Sequence, residues 1–114
     1  MIDYHTYHHE TYPDVLVIEA LGKLDLTTAD FLLDCMHGMI ARGEHKIVLD
    51  CSDLESITSV GLGVMVRANS RLKKKGGALA VAGATGIVAE VLKIVHFDKL
   101  FHLFPDVDQA AASL

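Results

Sequence analysis

The residues best suited to chemistry stand in one stretch, Ile47 to Met65, which reads IVLDCSDLESITSVGLGVM. A short apolar run ends there in acids and hydroxyls and restarts at a turn of small residues, the pattern of a buried strand delivering Ser59 to the first turn of a helix. Amides at a helix start favour anions, so a phosphate on Ser59 would lie in favourable electrostatics while changing the local charge sharply. A phosphorylation switch is the first expectation. The plainer alternative is an N-cap, in which the Ser59 hydroxyl satisfies an orphan amide and steadies the helix by roughly 1 kcal/mol. Val60, Leu62, Val64, Met65 and Val66 make the first two turns apolar nearly all round. One face can enter the core, and the other calls for a partner or a neighbouring loop. Gly61 and Gly63 permit close backbone approach at a cost in helix propensity.

Other chemistries fit less well. Gly61 and Gly63 form a GxG at a strand-to-helix turn, but Val66 stands where a dinucleotide loop needs its third glycine, and no GK[ST] occurs. His5, His8 and His9 crowd the first strand, where only His5 and His9 share a side and no Cys or acid completes a ligand set; a solvated edge is expected, and no metal. Hydrolysis through Ser59 would need a His base held by a third group, and no nucleophile-elbow motif surrounds it. Asp50 and Asp53 suit capping and turning better than acid–base work. Neither a catalytic group nor a cofactor is expected on this chain.

The elements around these residues follow from periodicity. Tyr4–His9 and Val15–Ala20 suggest an opening hairpin turned by Pro13 and Asp14. Thr27 or Thr28 can cap a helix with Leu32, Cys35, Met36, Met39 and Ile40 on one face, ending near Gly43. Lys46–Cys51 is a strand whose consecutive Ile47, Val48 and Leu49 suit burial on both faces. A helix from about Val60 to Lys75 and a strand at Ala78–Ala82 complete a βαβ unit. Thr85 can cap a helix carrying Ile87, Val88, Val91, Leu92 and Val95. Leu100–Phe104 reads as a short strand, and Asp106 with Gln109 as a capping box for a closing helix. The alternation is α/β, with a mainly parallel or mixed sheet. Asp25, Asp50–Asp53 and Thr58–Gly63 then meet at one edge, because loops after parallel strands share it.

Whole-chain properties narrow the partners. With 114 residues, 51% of them hydrophobic, one domain over residues 1–114 is expected. The 15 acids against 10 bases give a formal net charge of -5, and no basic stripe is interleaved with aromatics, so nucleic acid is not expected as a partner. Lys73–Lys75 most simply complement the carboxyl end of a helix dipole. Cys35 and Cys51 read as buried free thiols in a reducing cytoplasm. No apolar run is long enough to insert in a membrane.

The segments Gly22–Asp30 (GKLDLTTAD), Ile47–Met65, Lys73–Gly83 (KKKGGALAVAG) and Phe97–Ala110 (FDKLFHLFPDVDQA) together resemble the STAS domain, the fold of anti-sigma factor antagonists and of the cytoplasmic tails of sulfate transporters. A short chain of this kind most resembles the bacterial antagonists. The resemblance implies a mixed sheet of four to five strands packed by about four helices, and a partner-switching cycle. A serine two residues before the motif glycine, here Ser59 before Gly61, would be phosphorylated by an anti-sigma factor that is also a serine kinase. The unmodified form would bind that factor, the phosphorylated form would release it, and a phosphatase would reset the cycle. Asp25 matches the acid of the family's first loop, which contacts the kinase side. Where the family commonly has Asp-Ser-Ser or Asp-Ser-Thr, this chain has Thr58-Ser59-Val60, which makes Thr58 a secondary acceptor. The expected docking face comprises Asp25, Thr58, Ser59, Val60, Gly61, Leu62 and Val64. The alternative is a STAS subunit that docks the same helix on a membrane transport ATPase, for lipid or anion transport, without phosphorylation.

Overall fold

The computed structural model describes residues 2–114. Its elements run β1 (Ile2–His8), β2 (Val15–Leu24), α1 (Ala29–Ala41), β3 (Lys46–Ile57), α2 (Ser59–Lys74), β4 (Ala78–Ala82) and α3 (Gly86–Ile94). A 3₁₀ turn (Phe97–Lys99), β5 (Leu103–Phe104) and α4 (Val107–Ser113) complete the chain. The five strands lie side by side in chain order. β1 is antiparallel to β2, and each later pairing is parallel. This is the mixed α/β sheet with four helices that the residue pattern implied.

Crossovers that step one way along a parallel sheet with one hand place their helices on one face. Leu32, Met36 and Ile40 of α1, Met65 and Leu72 of α2, and Val88 and Leu92 of α3 accordingly share a core with Ile18, Ile47 and Leu49. The opposite face is covered by α4, whose Ala110 and Ala111 pack on Val15, Val17, Val48, Ala80 and Ala82. Small side chains on both sides let this short helix lie close to the sheet. Ile47, Val48 and Leu49 therefore alternate between two cores, which is why the run is apolar throughout. Cys51 is buried, and desolvation pushes its thiol up to about 12, whereas Cys35 is half-buried.

Several elements depart from the periodic reading. β3 does not stop at Cys51 but continues to Ile57, and β2 continues to Leu24. In this extension β3 pairs only with β2, since β4 meets it no further than Asp50. Solvent can therefore reach the polar side chains. Two register shifts, after Glu19 and after Gly22, insert extra residues into β3, breaking its alternation while keeping Leu54 and Ile57 inside. The last strand is only Leu103–Phe104, because the turn begun at Phe97–Lys99 continues through Leu100 and Phe101, whose amides both donate to the Phe97 carbonyl at 3.0 Å. The Asp106 cap is present: the Gln109 amide donates to Oδ1 at 2.8 Å, and its side chain donates to Oδ2 at 3.0 Å.

His9 lies beyond β1 and is buried, not on a solvated edge. Its Nδ1 accepts from the Thr11 and Tyr12 amides at 3.1 and 3.3 Å, which leaves the proton on Nε2 to donate to Asp108 at 2.7 Å. One imidazole thus ties the first turn to α4.

Candidate functional site

The end of β2 and the start of α2 are joined by one backbone bond. The Thr58 amide donates to the Leu24 carbonyl at 3.1 Å, and that carbonyl belongs to the peptide leading into Asp25. Asp25 and Ser59 are thereby brought to neighbouring positions, as loops after adjacent parallel strands allow. Gly61 is required by the same approach. A Cβ there would stand 2.7 Å from the Leu24 carbonyl oxygen and 2.8 Å from Leu24 Cγ. Gly63 meets no such neighbour, so close approach explains the first glycine and not the second.

The cap lies one residue earlier than the N-cap reading of Ser59. Thr58 is the N-cap, with extended backbone and no capping bond from its side chain, and Ser59 is the first helical residue. The first intrahelical bond runs from the Leu62 amide to the Thr58 carbonyl at 2.9 Å. The preceding amides of the turn lie at the positive end of the helix dipole, with no acid in the first turn to offset it. Thr58, Ser59 and Val60 are all exposed.

Asp25 is fixed by its own loop. Its Oδ1 accepts from the Thr27 amide at 2.9 Å and the Thr27 hydroxyl at 2.7 Å. These bonds from Thr27 hold the Asp25 carboxyl below the usual carboxylate range. Thr28 is the N-cap of α1 but makes no capping bond. Its buried hydroxyl instead accepts from the Asp25 amide at 2.9 Å and donates to the Lys23 carbonyl at 2.8 Å, stapling the turn.

The remaining expected residues divide by face. Val60 is 43% exposed, whereas Leu62 and Val64 are 8% and 4% exposed and belong to the core, as does the space beside Gly61. The side chains of Leu62 and Val64 are thus packed inside the protein and, of the expected apolar contacts, only Val60 is open to solvent. Two other large apolar side chains are exposed at the same end of the sheet. Leu26, in the loop after β2, is 77% exposed, and Ile87, in the first turn of α3, is 61% exposed. Ile87 was read among the apolar residues of its helix, of which Val88 and Leu92 are the buried ones. Both stand at the sheet edge that carries Ser59. The available signal for Leu26 was a lone large apolar residue between Asp25 and Thr27, where a loop needs none.

Asp50 does not pair with Asp53. It is buried, and its Oδ1 accepts from the Ser52 amide at 3.0 Å and the Ser52 hydroxyl at 2.8 Å. Gly83, at φ +73°, passes so close that a Cβ would meet that oxygen at 2.9 Å. Among the described residues no cluster of three or more His, Cys, Asp or Glu is placed to hold a metal ion. No helix among them is long and apolar enough to cross a membrane.

This order of strands and helices points to one fold family. The STAS domain profile matches residues 7–110, and the chain belongs to the STAS domain family. The anti-sigma F factor antagonist of Paenibacillus polymyxa is 29% identical over 106 residues, covering 92% of this chain and 88% of that one. Among solved structures, an anti-sigma factor antagonist from Mycobacterium paratuberculosis superposes with a TM-score of 0.87 at 25% identity, covering 99% and 93% of the two chains. The unphosphorylated form of the anti-sigma factor antagonist SpoIIAA gives 0.72 at 15% identity, covering 97% and 96%, a likeness of fold.

Proposed function

We propose that this chain is an anti-sigma factor antagonist, a binding module and not an enzyme, that exchanges partners according to whether Ser59 carries a phosphate. The observation that carries the reading is the exposed Ser59 at the first position of α2, in a turn with no acid and no side-chain cap. The names of the relatives, anti-sigma factor antagonists of similar length, support the general role.

The switch needs no catalytic group here. A serine-kinase anti-sigma factor brings ATP and Mg²⁺, and the rigid helix start presents the hydroxyl in line for transfer. In the unmodified state the partner covers Val60, Leu26 and Ile87 and reaches Asp25, whose ionised carboxyl lies beside the acceptor. Once made, the phosphate is stabilised by the amides of the turn but carries close to two negative charges. Docking the same apolar face would bury those charges without a cation. If that costs ~3–5 kcal/mol, affinity falls by about 10² to 10⁴. A phosphatase restores the binding form.

Incubation with a kinase-competent anti-sigma factor and ATP, followed by mass mapping, tests the reading. Phosphate on Ser59, absent from Ser59→Ala, is expected; Thr58 is the secondary acceptor. An unmodified chain that still binds its partner undiminished would leave α2 as a docking helix without a switch, as for a subunit of a membrane transport ATPase.

A further inference from the structure

The C-terminal half of α2 carries a feature that the switch does not use. A groove of about 560 Å³ lies along its outer side, lined by Arg67, Ser70, Arg71, Lys74 and Lys75, with His37 from α1 and Val66 at its edge. No acid lines it, and none of these cations belongs to an ion pair among the described residues. On a chain of net charge -5, four lysines and arginines in about two turns form a local reversal of sign. A helix-dipole role accounts for charge in the last turn, but Arg67 stands in the middle of α2.

We infer that this groove receives an acidic segment of the protein that docks on α2. The inference rests on the reading of α2 as a docking helix and not on phosphorylation of Ser59. Continuity supports it. At 100° per residue, Ser59, Gly63, Val66, Ser70 and Lys74 share one stripe, so a partner seated on the helix start is led along the smooth surface at Gly63 into the groove. Val66, 44% exposed, offers an apolar contact that a bare anion does not need. No Phe, Tyr or Trp lines the groove to stack a base, and one valine is too little apolar surface to anchor a membrane helix. Carboxylates meeting Arg67, Arg71 and Lys74 fix the register of the partner and speed its approach.

The test uses the full chain with a deca-glutamate peptide, a decathymidylate oligonucleotide and phosphatidylglycerol vesicles as separate probes. The peptide is expected to shift the amide resonances of Arg67, Ser70, Arg71 and Lys74. Its affinity should fall at least about tenfold in Arg67→Glu/Arg71→Glu, and again when salt rises from about 50 to about 300 mM. Lys93→Glu/Lys99→Glu, outside the groove, should retain binding. Circular dichroism checks that each variant keeps its fold, which surface charges on α2 should not disturb. Equal peptide binding by the groove variant, no binding at low salt, or a preference for the oligonucleotide or the vesicles would overturn the inference. None of these outcomes bears on whether Ser59 is phosphorylated.

Discussion

At the scale of single residues, the corner that presents Ser59 depends on contacts too close to tolerate a methyl group. Gly61→Ala places Cβ 2.7 Å from a backbone oxygen of β2, so either α2 or the Asp25 loop must move. Overpacking of this kind costs about 1–3 kcal/mol, and urea unfolding should show that loss, while Gly63→Ala, whose Cβ meets nothing, should be neutral or slightly stabilising. Asp25 makes a prediction in pH. Its carboxyl is held below the usual range by the two Thr27 bonds, so the stabilisation is present above the unfolded value of about 3.9 and is lost as pH falls through the lower folded value. Asp25→Asn should therefore flatten the acid limb of the stability curve below about pH 4 and leave its slope near neutrality unchanged. The serine and the aspartate were legible in the sequence because hydroxyl and acid interrupt apolar runs. Leu26 was not, since a lone apolar residue carries no period to read, and the outward turn of Ile87 was not, since it adjoins Val88 in a helix apolar on most sides.

At the scale of elements, the helices were read well and the strand ends poorly, for one physical reason. α1 and α2 bury a single stripe and repeat with the helical period, as Leu32, Met36, Met39 and Ile40 do. The second half of β3, Asp50–Ile57, is polar because β4 has already ended beside it, and its bulges erase the alternation that marks a strand. The shift of the cap from Ser59 to Thr58 is of the same origin: β3 runs to Ile57, so the helix begins after a single connecting residue. Between elements, His9 is the side chain that ties the first turn to α4. His9→Ala removes an acceptor for two amides and a 2.7 Å bond to Asp108, and should lower stability by about 2 kcal/mol in urea unfolding. Asp108→Asn should cost less, because Asp108 is exposed and solvent replaces the lost charge.

At the scale of the whole molecule, three helices on one face and one on the other leave the carboxyl edge of the parallel strands as the place where Asp25, Ser59 and Ile87 come to the surface together. That edge follows from strand order alone, which is why its location was legible before any side chain was placed. Which apolar residues face outward there was not, because exposure depends on how each helix rolls against the sheet. In the proposed switch, a phosphate at Ser59 ejects a partner from this edge. The direct measurement compares the affinity of a purified anti-sigma factor for the unmodified chain and for the chain carrying phosphoserine at position 59. Binding should be weaker by about 10² to 10⁴ for the phosphorylated chain. Equal affinities for the two forms would contradict the switch.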